Sequence, residues 1–232
     1  DSLTATRPVE FEVRSPSDAE GMFDVLTYQK GGALLRMLEQ YLGEEQFRSG
    51  VSHYLQVHSY GNTETSDLWD AIEHTSGEPV RRIMDSWIWQ QGYPLVSARV
   101  DGDELVLSQR RFSFDPDFGD ATLWAVPVRI RQDGSSVDVL LDGDELRLPA
   151  SDGPIVVNAD GHGFFRVDYA DELRDRLDAD VVRSMSTLER YALIDDAWSA
   201  VTAGAMSASE YLDLAQRFDG ETEYGVWQAL AV

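Results

Sequence analysis

The sequence has no cysteine, a single lysine and no long apolar run. Without cysteine there can be no disulfide and no thiolate chemistry, and the composition suits an intracellular, cytoplasmic setting. No apolar stretch approaches the roughly 18 residues of a membrane span, and no signal peptide is visible, so a membrane partner is not expected. Positive charge is also scarce. The 19 basic residues, all arginine except Lys30, are set against 42 acidic ones, for a formal net charge of -23. Such a field repels phosphate backbones and argues against nucleic-acid binding. The first residue is Asp rather than Met, as expected of a processed or excised piece. What is present is globular: 43% hydrophobic residues and six Trp in 232, enough for one large core or two to three smaller ones.

The first third has the period of helices. In the stretch "MFDVLTYQKGGALLRMLEQYLG" (22–43), Leu34, Leu35, Leu38, Tyr41 and Leu42 recur at helical spacing. Gly31 and Gly32 stand at its head, although each costs a helix about 1 kcal/mol relative to Ala. Close approach of another group, or a bend, would explain them. A second helix opens at Glu44 and Glu45, with Phe47, Val51, Tyr54 and Leu55 on one face. "YGNTETSD" reads as a loop whose N-cap is Thr65 or Ser66, leading into Leu68, Trp69 and Ile72. Pro79 suits the first turn of a fourth helix carrying Val80, Ile83, Met84, Trp87 and Ile88.

The period then changes to two. Leu95–Val100, Leu105–Gln109, Leu123–Arg131, Val137–Leu141, Leu146–Leu148, Ile155–Ala159 and Phe164–Tyr169 read as short strands. Asp-Gly pairs at 101, 133, 142, 152 and 160 punctuate them, and the pattern predicts an antiparallel sandwich. Helices resume after Ala170. Ser186 with Glu189 and Ser207 with Glu210 have capping-box spacing. Behind them run Leu188, Tyr191, Ile194, Trp198 and Val201, then Tyr211, Leu212, Leu214 and Phe218, then Tyr224, Trp227 and Leu230. These apolar faces are expected to need further helices.

Local spacing offers little chemistry. His53 and His58 lie about 140° apart on a helix, so they cannot share a ligand face. With no His-Glu-x-x-His and no cysteine pair, His53, His58, His74 and His162 read as surface or satisfied core histidines. No Gly-x-Ser-x-Gly elbow is present. Asp195-Asp196 reads as a solvated helix face, and "ADGHGF" (159–164) as a tight turn rather than a phosphate loop. Taken alone, Tyr28 at a helix head is more often a packing residue than a reactive one.

Five stretches taken together change that weighting. "DSLTATRPV", the run from Met22 through "SDLWDAI", "PVRRIMDSWIWQQGYPLV", "NADGHGFFRVDY" and "LERYALIDDAW" resemble, in collinear order, the M1 family of zinc aminopeptidases. The resemblance implies a multidomain α + β architecture. Residues 1–92 would be the helical tail of a thermolysin-like catalytic domain, 93–170 an antiparallel β-sandwich, and 171–232 the start of an α-helical superhelical domain. It also implies that the zinc ligands and the loop gripping the substrate amine lie upstream of Asp1, so this chain alone should neither hold catalytic zinc nor hydrolyse peptides. One catalytic residue of the family falls here. Tyr28 matches the Tyr of its Tyr-x-Lys-Gly motif, whose hydroxyl donates to the oxyanion formed when zinc-bound water attacks the peptide carbonyl. A phenol keeps its proton, and so remains a donor, at neutral pH. The expected partners are peptide substrates and the remaining domains of the same polypeptide. The alternative is a non-catalytic interaction scaffold on the same architecture.

Overall fold

The computed structural model describes residues 6–21, 23–115 and 118–231. Among them helices flank a strand-rich middle, an α + β arrangement. The opening segment has neither helix nor strand until a short helix, α1 (Pro16–Gly21), which the sequence pattern did not foreshadow. It packs back on the helices, with Val9 buried and the Glu10 amide donating to the Ile88 carbonyl at 2.9 Å.

The expected helix from Met22 divides in two; Met22 itself lies outside the described residues. Leu26–Lys30 forms a π turn, and α2 (Gly31–Leu42) follows it directly, burying Leu34, Met37, Leu38 and Leu42. Neither glycine at its head is required by this chain. A Cβ on Gly32 would meet nothing within 4 Å, and one on Gly31 only a Val9 methyl at 3.9 Å.

Helix α3 (Glu44–Val57) crosses α4 (Thr65–Ser76) at Gly50, the residue of α3 that is buried. Leu55, expected on its inner face, is exposed, while Phe47, Val51 and Tyr54 of that face are half-buried. The N-cap of α4 is Glu64, not Thr65 or Ser66; its carboxylate and that of Asp67 form a reciprocal box. A Cβ on Gly50 would stand 2.8 Å from the Ile72 Cα. Backbone cannot yield as a side-chain tip can, so overpacking of about 1–3 kcal/mol should outweigh the gain of about 1 kcal/mol in helix propensity. Gly50→Ala is therefore expected to lower the denaturant midpoint of unfolding, whereas propensity alone would raise it. Helix α5 (Val80–Ile88) buries all five residues its spacing singled out.

Among the described residues seven strands follow: β1 (Pro94–Asp101), β2 (Glu104–Arg111), β3 (Val126–Gln132), β4 (Ser135–Leu141), β5 (Glu145–Pro149), β6 (Ile155–Val157) and β7 (Arg166–Tyr169). They form two sheets, ordered β5-β2-β1-β7 and β4-β3-β6. The pairing is antiparallel except for β7, which lies parallel to β1 with Val96 opposite Val167. A wholly antiparallel arrangement is thus corrected: β7 is reached after the other sheet has been built, and a long return allows parallel entry. At the β1–β2 hairpin the central residues are Gly102 and Asp103, with positive φ at Gly102 alone. Asp133 and Gly134 between β3 and β4 both have positive φ, as the Asp-Gly signal predicts. The strand expected from Leu123 begins at Val126, since Trp124 and Ala125 bond instead to Gln109 and to Ser86 and Trp87.

After β7 come α6 (Asp171–Asp175), α7 (Ala179–Ser184), α8 (Thr187–Thr202), α9 (Ala208–Ala215) and α10 (Tyr224–Leu230). Both capping boxes form at their expected sites. Helix α9 buries Tyr211 and Leu214 as its spacing predicts, with Phe218 after it, whereas the inner faces of α8 and α10 match the anticipated ones only in part. Leu193, Ile194, Ala197, Val226 and Ala229 are inside, while Leu188, Tyr191, Leu212, Tyr224 and Trp227 are exposed. In α10 the small Val226 and Ala229 are buried and the bulkier Tyr224 and Trp227 are left outward.

Candidate active site

Tyr28 sits in the middle of the π turn, a backbone form frequent at functional sites. Asp24 organises the approach to that turn: its carbonyl accepts from the Tyr28 amide at 3.1 Å, and its carboxylate accepts from the Thr27 amide at 3.0 Å and pairs with Arg7. Arg7 also reaches the Thr27 hydroxyl at 3.1 Å, tying the opening segment to the turn. Tyr28 is 62% exposed, and its ring lies 6.3 Å, centroid to centroid, from that of Phe23. Among the described residues no group takes up its hydroxyl. The phenol therefore stands outward as an uncommitted hydrogen-bond donor on a backbone fixed from behind.

Two residues on, Lys30 points the opposite way, as positions i and i+2 of a helical turn must. It is only 3% exposed. Its Nζ donates to the Gly92 carbonyl at 2.7 Å and lies 5.7 Å from the centre of the Phe164 ring. Burial, with the Arg111 guanidinium nearby, pulls the ammonium down to about 8. Its standing as one lysine among eighteen arginines is the signal of it in the sequence.

The acidic pair also differs from expectation. Asp195 and Asp196 are not a solvated face: both accept from Arg166 Nη1, at 2.6 and 2.8 Å, and the Val167 amide bonds the second oxygen of Asp196 at 2.9 Å. The Asp196 side chain is 9% exposed, and burial pushes its carboxyl up to about 7 against the pull of Arg166. Periodicity could not show this, because the partner lies some thirty residues away on another element. The pair ties β7 to α8.

A cleft of about 630 Å³ opens elsewhere, lined by Arg36, Gln40, Arg129, His162 and Leu188 among others, and Tyr28 is not part of it. Its cations are already engaged. Arg129 bonds Asp138 and Asp160, and Arg36 bonds Glu39 and the His162 ring. Burial and the Arg36 charge hold the His162 imidazole below its ordinary value. The other histidines are likewise packed, His53 stacking on His74 at 5.0 Å and His58 against Tyr54 at 5.4 Å. Among the described residues no three His, Asp or Glu side chains are grouped to hold a metal ion. No helix among them is long and apolar enough to cross a membrane.

Residues 1–87 match the Peptidase family M1 domain, and residues 154–232 match the ERAP1-like C-terminal domain. Tricorn protease-interacting factor F2 of Thermoplasma volcanium is 36% identical over 231 residues, covering 100% of this chain and 29% of the relative. Leucyl aminopeptidase of Saccharolobus solfataricus is 35% identical over 97% of this chain and 28% of its own length. Aminopeptidase M1 of Arabidopsis thaliana is 33% identical, again over 97% of this chain and 28% of its own length. The chain thus spans less than a third of each relative it matches, collinear with all three, and it belongs to the M1 peptidase family.

Proposed function

We propose that the full-length protein is a zinc-dependent aminopeptidase that removes N-terminal residues from peptides, and that this chain supplies its oxyanion-stabilising phenol, Tyr28. The observation that carries this reading is the outward, uncommitted hydroxyl of Tyr28 within the Tyr-x-Lys-Gly stretch. When the scissile carbonyl goes tetrahedral, its oxygen gains charge, and a preorganised O–H donor stabilises that state more than the ground state. Among the described residues no three His, Asp or Glu side chains are grouped to hold zinc, so this reading assigns the metal ligands to the rest of the polypeptide and derives no step through them.

On this reading residues 1–92 are the C-terminal helical part of the catalytic domain, 93–170 a β-sandwich, and 171–232 the first helices of a C-terminal α-helical superhelix. The family match that ends at residue 87 supports the first boundary; the second match starts at 154, inside the strand-rich segment. The partners are peptides and the remaining domains of the chain, and the cysteine-free sequence suits a cytoplasmic compartment. A second reading, a non-catalytic interaction platform, is favoured by one observation: the F2 relatives are named for interacting with Tricorn protease.

The full-length protein is expected to release p-nitroaniline from an aminoacyl-p-nitroanilide, to lose that activity to a chelator and to regain it with added zinc. An inactive full-length protein that binds stoichiometric zinc would favour the platform reading.

A further inference from the structure

Lys30 is a costly choice of residue. Eighteen of the nineteen basic side chains are arginine, and the one lysine is buried. Burying an ammonium disfavours its charged form, and the depressed titration near 8 shows the direction of that cost. The folded state binds this proton less tightly than the unfolded chain does. Stability from this group therefore rises as pH climbs from about 8 towards the ordinary lysine value of 10.5 and is diminished at neutral pH. Departures of this kind from stability rules concentrate at functional sites.

The surroundings show what the ammonium holds. Its acceptor, the Gly92 carbonyl, is itself fixed: Gly92 has φ +80°, and a Cβ there would stand 2.5 Å from Arg111 Nε. Arg111 is buried and bonded to Asp120 at 3.0 Å. On the other side, Phe164 packs edge-on against Trp87 and Tyr93, so the ring facing the ammonium is locked as well. The turn that carries Tyr28 outward is thus pinned inward, two residues later, to an anchor formed by three separate parts of the chain.

We propose that Lys30 is a positioning residue for the reaction: by clamping the π turn to Gly92 and Phe164 it sets where the Tyr28 hydroxyl meets the developing oxyanion. This rests on the role assigned to Tyr28 above. A displacement near 1 Å at the donor is enough to lose much of its effect, whereas substrate binding elsewhere is untouched.

The test is a double-mutant cycle in the full-length protein, read as kcat and KM on an aminoacyl-p-nitroanilide. Lys30→Met keeps the length of the side chain and removes its charge. It is expected to lower kcat about tenfold or more, with KM within twofold and the unfolding midpoint unchanged or raised. In the Tyr28→Phe background the same change is expected to do almost nothing, because the donor it positions is gone. Equal losses in both backgrounds, or a kcat that stays at wild type, would overturn the inference and leave the role of Tyr28 standing. A Tyr28→Phe enzyme that kept its kcat would instead overturn the parent reading, and the inference with it. Should Lys30→Met fail to fold, Phe164→Leu removes the ring beside the ammonium and enters the same cycle with the same two outcomes.

Discussion

Tyr28→Phe in the full-length protein is expected to lower kcat by on the order of a hundredfold or more, while zinc content, KM and the unfolding midpoint stay near wild type. One oxyanion donor is worth about 2.7–4 kcal/mol in the transition state, which sets the size of the loss. The silence of the other readouts follows from the geometry. The ring is exposed, its contact with Phe23 is retained by Phe, and no described group bonds the hydroxyl. A kcat within a few-fold of wild type would remove the role assigned to this residue.

The largest expected loss of stability comes from Glu189→Ala. Its carboxylate, 1% exposed, accepts from both Arg131 Nη atoms at 2.6 and 3.0 Å, from the Asp160 amide at 2.7 Å and from the Ser186 amide at 2.7 Å. Burial alone would raise this carboxyl; Arg131 and the two amides outweigh it and hold the group below the usual glutamate range. Removing the carboxylate leaves Arg131 and two amides without their acceptor, a loss of about 3–5 kcal/mol for a buried charge network broken on one side. Because the folded-state value is depressed, the contribution is present above the unfolded glutamate value and fades as pH falls through the folded one. Denaturant unfolding at pH 7 should therefore show a large drop for Glu189→Ala, and the difference from wild type should shrink in acid. Glu210→Ala at the second, exposed capping box is expected to cost far less. Similar losses at the two sites would contradict the network reading.

Those two glutamates also show how far the sequence could be read. Both boxes were visible as Ser-x-x-Glu, because capping is settled within four residues. That Glu189 also receives Arg131 from a strand 58 residues earlier was not visible, and that partner is what makes it matter. The same division runs through the chain. Helix α5 shows its five core residues by spacing alone, and Asp133-Gly134 announces its hairpin through the φ values it requires. The parallel entry of β7, the binding of Asp195 and Asp196 to Arg166 and the crossing at Gly50 depend on residues far apart in sequence, so no local pattern encodes them. In α8 and α10 apolar residues occupy more than one face, and periodicity favoured the bulkier one while packing chose the smaller. Tyr28 is legible through its motif and not through its spacing. The π turn that presents it follows from no spacing rule, and the lysine behind it is bonded to Gly92, 62 residues away.

A crystal structure of the full-length protein with a phosphinic peptide would bear most directly on the site, since its tetrahedral phosphorus imitates the hydrated carbonyl. The Tyr28 hydroxyl should stand about 2.5–3.0 Å from one phosphinyl oxygen. A hydroxyl more than about 4 Å from either oxygen, with another donor in its place, would contradict the assignment.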